Sequence, residues 1–391
     1  MNEKLRAFIV QHLNDDIHQL AMDAKKYPEI NISEALSQIN GRKKVCNKLP
    51  IFHQNENILY PIQLSLEQSS SQITATYKAS LCNGYRLVDL TGGFGVDSYF
   101  LAENFEEVIY VEKNEELCRL ATHNFSALKR TNIMVVNSMS ESFLMHYLDK
   151  ADWMYIDPAR RDNSGKKVVK LADCEPDVTV LLESIFEKSD NLMVKLSPML
   201  DIHAIIDQLH GIAAVHIIAV DNECKELLLI LNKKTSATIQ IKTINFQKSQ
   251  VQNFEYYLPE EQQASCVHAQ EIENYKFLYE PNAAIMKAGA FKLIGQHFRL
   301  DKLQVNTHLY VSNELHIEFP GRVFAIKKIW EKEKWKANAL SLKKANVATR
   351  NFPISVDEIR KKLKLADGGE TYLFACTLSD NKKVIIETIK A

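Results

Sequence analysis

The chain has 391 residues, 46% of them hydrophobic and 25% charged. That is the composition of a folded protein of about two or three domains, and it excludes disordered and collagen-like classes. Its 48 Lys/Arg and 49 Asp/Glu nearly cancel, yet 16 basic and 8 acidic residues fall in 320–391, leaving 32 and 41 in front of them. A basic tail behind an acidic body predicts a polyanionic partner for the tail. The seven cysteines are odd in number, scattered and without a CxxC pair, so the expectation is a reducing, cytoplasmic compartment with no disulfide framework. Twelve histidines without HxxxH or HExxH spacing predict no metal centre. No apolar run approaches the ~18–20 residues of a membrane span. The first residues, MNEKLRAFIVQHLNDD, are amphipathic and acidic, unlike a signal or transit peptide.

Residues 1–78 read as a helical region. Ala7, Phe8, Val10 and Leu13 form a helical stripe, and a second helix is expected over 32–39. In 66–81, Ser69 stands three residues before Gln72, the spacing of a capping box, and predicts a helix leading into the next domain. From Tyr85 short apolar runs alternate with helical stretches, the pattern of an α/β sheet. Strands are expected over 86–90, 108–111, 133–137, 153–156, 192–196, 215–220 and 227–231, with helices between the first six. Only 221–226 separates the last two. A parallel pair needs a crossover of about a dozen residues, so these must be antiparallel neighbours. Five crossovers closed by a hairpin is the strand arithmetic of class I methyltransferases, not of nicotinamide-binding domains. Beyond 234 the chain is polar, predicting a strand and a connection to about 274. A helix over 284–298 and strands over 309–311, 315–319 and 323–326 follow.

The strongest local signal is Leu87-Val88-Asp89-Leu90-Thr91-Gly92-Gly93-Phe94-Gly95-Val96-Asp97, a strand running into a glycine turn and then a helix. Ser98 stands where the third glycine of a dinucleotide fingerprint belongs, so NAD fits poorly. Asp89, just before the turn, can hold an ammonium group, which S-adenosylmethionine has and NAD lacks. Thr91, Gly93 and Gly95 shape the loop around such a ligand. Glu112 ends the second strand, where an acid can accept both ribose hydroxyl hydrogen bonds. Ser138 ends the third, where many methyltransferases place an acid near the adenine amine, and it can still hydrogen-bond.

The fourth strand runs into Asp157-Pro158-Ala159-Arg160-Arg161. Together with LSLEQSSSQITATYKASL, DLTGGFGVDS, EPD and KLSPMLD, this run resembles bacterial class I methyltransferases that carry a C-terminal THUMP-like domain, and the match spans nearly the whole chain. The resemblance implies an S-adenosylmethionine-dependent transferase acting on RNA. It implies a seven-stranded Rossmann-like sheet over 79–235 after the helical region, a connecting strand with a small α+β, ferredoxin-like domain over 236–319, and a basic α+β THUMP-like domain over 320–391.

The methylated atom stays open between two chemistries. Amine methylation uses a (D/N)PP(Y/F/W) loop, and here Ala159 and Arg160 replace the second proline and the aromatic. Pro158, Arg160 and Arg161 remain candidates for holding a base or a phosphate. No cysteine stands at the end of the fourth or fifth strand, which argues against covalent C5-pyrimidine chemistry. Lys78, Asp157, Lys195 and Glu226 follow the order of the Lys-Asp-Lys-Glu tetrad of 2′-O-ribose methyltransferases, in which a lysine flanked by acids orients a hydroxyl and takes up its proton. In the tail, Lys327, Lys328, Lys332, Lys334, Lys336, Lys343 and Lys344 surround Trp330 and Trp335, a mixture suited to phosphates and bases. The competing class is an RNA-binding module with a degenerate cofactor domain.

Overall fold

The computed structural model describes residues 3–61, 63–160, 171–235, 238–331 and 342–391. Arg161, Lys332, Lys334, Trp335 and Lys336 lie outside the described residues. The chain divides into two compact units: Met1–Ile212 with Leu228–Ser236, and Ala213–Leu227 with Ala237–Ala391.

The first unit begins with helices Glu3–Gln11, Ile17–Met22 and Ile32–Lys48, which bury Leu5, Phe8, Ile9, Leu20, Ile32, Ala35 and Ile39 against one another. The buried stripe of the first helix is Leu5, Phe8 and Ile9, spaced by three and four; Val10, expected inside, is 47% exposed. The expected capping box also shifts. Ser69 donates to the Leu66 carbonyl, and Ser71 caps helix Gln72–Ala79 by accepting from Thr74 N at 3.3 Å. Asn124 fastens the preceding segment to the central layer. Its amide accepts from Leu59 N and donates to Leu59 O, both at 2.8 Å.

The central strands are β1 (Gly84–Asp89), β2 (Phe105–Glu112), β3 (Ile133–Asn137) and β4 (Trp153–Ile156), then the two-residue β5 (Ala159–Arg160) and β6 (Cys174–Glu175), and β7 (Asn191–Leu196). β1 lies between β4 and β2, with β7 beyond β4 and β3 beyond β2, all parallel. Every crossover carries a helix. Helix Val178–Lys188 shows why: Asp177 accepts from Thr179 N at 2.9 Å, and Val178, Leu181, Leu182, Ile185 and Phe186 recur with the helical period. The chain goes one way from β1 to β2 and β3, then returns to place β4 on the other flank of β1. This order reversal opens a crevice at the strands' carboxyl ends.

β8 (Ile212–Val220) and β9 (Glu223–Asn232) form the expected hairpin. Asp221 and Asn222, its two turn residues, have φ of 50° and 64°, both left-handed as a tight antiparallel turn requires. The sheet does not stop at seven strands. β10 (Gln240–Phe246) joins β8 in parallel and β11 (Val251–Tyr257) closes the edge, giving nine in the order β11-β10-β8-β9-β7-β4-β1-β2-β3. The sequence predicts one strand here; the second reads as connection, because β11 alternates exposed and buried residues along its whole length.

The second unit also holds a seven-stranded sheet of β12 (Phe277–Pro281), β13 (Asp301–Lys302), β14 (Tyr310–Ser312), β15 (Gly321–Glu331), β16 (Asn346–Arg350), β17 (Thr371–Thr377) and β18 (Lys383–Lys390), in the order β13-β14-β12-β15-β18-β17-β16. The strand expected over 315–319 is absent: Ile317 is 81% exposed there. The helix expected over 284–298 is broken into Ala283–Ala288 and Leu293–His297 by Gly289, whose φ of 76° ends the first piece. One core packs Leu278, Leu303, Leu309 and Val311 against Phe324, Phe374, Val384 and Ile386. No helix among the described residues is long and apolar enough to cross a membrane.

Candidate active site

A cavity of 360 Å³ opens at the crevice between β1 and β4, and all of its lining residues among those described belong to the first unit. Of the residues singled out from the sequence, Asp89, Thr91, Gly93, Gly95, Glu112, Ser138, Asp157 and Lys195 line it. Pro158, Lys78 and Glu226 are buried and do not, while Arg160 contributes its backbone to the β5–β6 ladder opposite Cys174. Glu226 sits on β9.

The glycine turn is shaped by what surrounds it. A Cβ on Gly92 would stand 2.1 Å from the ring of Tyr110, whose hydroxyl donates to Gly93 O at 2.5 Å. Gly95 has φ of 84°, and a Cβ there would meet Phe125 at 2.7 Å. Neither position accepts a side chain. Glu112 stitches the turn to β2: one carboxylate oxygen accepts from Gly93 N at 2.9 Å, the other from Asn114 N at 2.8 Å. Thr91 links the two strand ends, its hydroxyl accepting from Asp157 N at 2.6 Å.

Asp89 is 1% exposed and accepts from Thr91 N at 3.0 Å and from the Ser98 hydroxyl at 2.5 Å. Burial pushes its carboxyl up to about 7, against those hydrogen bonds, and the nearby Asp97 and Asp157 push the same way. A carboxylate held in a cavity wall without a cation is a standing electrostatic cost, which an entering cation removes.

Behind it lies a charge network. Lys195 Nζ stands 2.5 Å from Asp157 Oδ2 and 3.5 Å from Asp97 Oδ2. Lys78, wholly buried, reaches Asp97 Oδ1 at 3.2 Å and donates to Ser70 at 3.0 Å. Ser70 and Tyr155 each donate to Asp97 Oδ2, at 2.7 and 2.8 Å. Burial acts to raise Asp97, but Lys78 and Lys195 outweigh it and hold the carboxyl below its ordinary range. For Asp157 burial prevails over Lys195, and its carboxyl is raised. Asp97 is the residue that sequence reasoning missed. An acid in the first turn of a helix reads as a partner of the helix dipole, and nothing in the sequence places it between two lysines.

Among the described residues around the cavity, six carboxylates (Asp89, Asp97, Glu112, Glu141, Asp157 and Glu175) face two lysines, Lys113 and Lys195. Such a wall favours a cationic ligand and disfavours a pyrophosphate. Among the described residues, no three His, Cys, Asp or Glu are grouped to hold a metal ion.

Over its full length the chain is similar to a protein of Porphyromonas gingivalis W83 whose crystal structure is described as that of a putative methyltransferase: 31% identity over 100% of this chain and 99% of that one, TM-score 0.89. The chain belongs to that family, the class I methyltransferases with a C-terminal THUMP-like domain. Residues 277–320 match a ferredoxin-like domain family and 321–389 a THUMP domain-like family. In this member of the methyltransferase family the two matched segments share one sheet, since β12 pairs with β15. More distant structures include an rRNA methylase from Streptococcus thermophilus, 15% identical over 43% of this chain and 99% of that one, TM-score 0.32. Another is TrmK of M. capricolum in complex with S-adenosyl-homocysteine, 14% identical over 45% and 70%, TM-score 0.31. Likeness at that level carries no argument. No curated protein matches the sequence.

Proposed function

We propose that the chain transfers a methyl group from S-adenosylmethionine to RNA. The observation that carries this reading is the charge of the cavity: among the described residues, six carboxylates and two lysines around 360 Å³ at the crevice beside β1. S-adenosylmethionine carries a sulfonium and an ammonium, and its bound form supplies an electrophilic methyl group. In this reading Asp89 takes the ammonium, Glu112 the ribose hydroxyls, and the turn from Thr91 to Gly95 encloses the remainder. Ser138 offers a hydroxyl at the cavity's rim. RNA as substrate rests on the match to the THUMP domain-like family and on the basic excess of 320–391.

The network favours a ribose hydroxyl as acceptor over a base amine. Asp157, the acid that would hold an exocyclic NH₂, already has one oxygen engaged by Lys195, and Pro158 does not line the cavity. Lys195 orients the incoming hydroxyl. Asp157, whose carboxyl burial raises, is the nearest group able to take its proton. Asp97 and Lys78 fix Lys195 from behind.

Calorimetric titration with S-adenosylmethionine and with NADH tests the cofactor, and tight binding of NADH alone would overturn the reading. Transfer of labelled methyl to RNA from cells lacking the protein tests the activity. RNA binding without transfer would instead support a binding module. A 2′-O-methyl blocks alkaline cleavage of the adjacent phosphodiester, so alkali-labile methylated product would eliminate the ribose assignment.

A further inference from the structure

The second unit contains a buried carboxylate that gathers more positive charge than it can neutralise. Glu280, on β12, has a side chain only 4% exposed. One of its oxygens, Oε2, accepts from Arg322 Nε at 2.7 Å and also meets a terminal nitrogen of the same guanidinium. The other, Oε1, stands 2.5 Å from Arg350 Nη2. Arg350 is tethered once more, donating from Nη1 to its neighbour's carbonyl, Thr349 O, at 2.8 Å. The two guanidinium side chains remain 39% and 37% exposed, so each has faces and donors left for solvent.

A third cation joins them through an aromatic ring. Arg322 lies 5.5 Å from the Phe324 ring and 5.9 Å from that of Tyr372, and the exposed Lys390 ammonium lies 5.9 Å from Tyr372 as well. Strand register explains the meeting: Phe324 on β15 pairs with Lys390 on β18, and Tyr372 on β17 pairs with Thr388 two residues earlier. Three cations are thus ordered by one carboxylate and one ring. Burying a carboxylate is costly, and a single guanidinium would offset it. The second guanidinium and the ammonium are surplus to that need. Because the two guanidiniums are held before any ligand arrives, little of their rotamer freedom remains to be lost on binding.

We propose that Arg322, Arg350 and Lys390 form a preordered clamp for the phosphodiester backbone of RNA. Guanidinium forks fit phosphate oxygens in pairs, and the ring-held lysine supplies a point charge beside them. The clamp lies in the segment carrying the basic excess, and both its arginines come from strands of the THUMP-like match at 321–389. This deepens the RNA reading above and rests on it. Lys327, Lys328 and the other lysines of the tail supply diffuse attraction, whereas the clamp sets register.

Anisotropy of a labelled single-stranded RNA oligomer with the full-length chain, measured across a salt series, tests the clamp. Arg322→Gln and Lys390→Ala should each weaken binding several-fold and flatten the log–log salt slope by about 0.7 for every phosphate no longer neutralised. Arg322→Lys keeps the charge but loses the fork, so affinity should fall with little change in slope. Lys390→Ala removes an exposed side chain, and thermal melting checks that each variant is folded. Affinity and slope equal to wild type in the folded Lys390 and Arg322 variants would overturn the clamp, as would absence of RNA binding by the wild type. Methyl transfer is scored separately: clamp-dependent binding without transfer would sink the enzymatic reading and leave the clamp standing.

Discussion

Lys195 Nζ stands 2.5 Å from Asp157 Oδ2, joining the ends of two neighbouring parallel strands across 38 positions of sequence. The pair lies in the cavity wall, not beneath it, so it is available to a substrate. Lys195→Met should lower kcat by roughly 10²–10⁴-fold, because the hydroxyl loses the ammonium that orients it toward Asp157 and proton transfer to that acid loses its geometry, while S-adenosylmethionine affinity stays nearly constant. Single-turnover methyl transfer beside a cofactor titration makes the measurement. A rate per folded molecule equal to wild type would assign the lysine to structure alone.

Asp97 accepts from Ser70 and Tyr155 and sits between Lys78 and Lys195. Asp97→Asn should therefore destabilise the fold by about 3–5 kcal/mol, the cost of removing one partner from a buried charge pair, because Lys78 loses the carboxylate at 3.2 Å. Lys78→Met combined with Asp97→Asn should recover much of that loss, since the ammonium that Asp97 offset is removed with it. Denaturant unfolding of the two single variants and the double variant completes the cycle. Strict additivity would mean the pair is not coupled.

The legible parts of the sequence were those with local signals. The strand–turn–helix at 87–97, the acid ending β2 and the antiparallel pairing of β8 with β9 announce themselves through glycine, spacing and loop length, although the connection expected over 221–226 is a two-residue turn and 223–226 belong to β9. What stayed hidden depended on partners distant in sequence. Asp97 meets Ser70 at a separation of 27 residues and Tyr155 at 58. The sequence predicts one strand beyond 234, but the second stayed hidden because every other residue of β11 faces solvent and reads as polar connection. The expected strand over 315–319 failed for the converse reason: Leu315 and Ile317 are 47% and 81% exposed, and of its apolar residues only Phe319 is buried, against Tyr279 and Phe298.

Asp89 gives the cavity a pH signature of definite sign. Its carboxyl is raised from 3.8 to about 7 in the fold, so between those values the folded chain holds a proton that the unfolded chain has lost. Stability from this group is full below pH 3.8, declines as pH rises through the interval, and is spent above about 7. Asp89→Asn should then raise the melting temperature at pH 8, with the gain vanishing toward pH 4. The same substitution should abolish S-adenosylmethionine binding, and wild-type affinity should itself weaken as pH falls below about 7 and Asp89 loses its charge. Melting curves and titrations at matched pH decide both. A destabilised Asp89→Asn at pH 8 would contradict the account.

The ferredoxin-like and THUMP-like matches meet at residues 320 and 321, which suggests a convenient place to cut. The structure argues against a clean separation there. β12 pairs with β15 over five residue pairs, from Phe277↔Ala325 to Pro281↔Gly321, so removing 321–391 bares one edge of β12. The same cut removes Phe324, Phe374, Cys376, Val384 and Ile386 from a core in which Leu278, Leu303, Leu309 and Val311 remain. Those four leucine and valine side chains would pass from complete burial to water, at roughly 1.5–3 kcal/mol each. A chain ending at residue 320 should therefore aggregate or be degraded when expressed, and single-residue variants such as Lys390→Ala are the sound way to test the tail. Solubility and size-exclusion profiles of the truncated chain give the answer. A soluble, monodisperse product with a cooperative melt would show that the two matched segments fold independently.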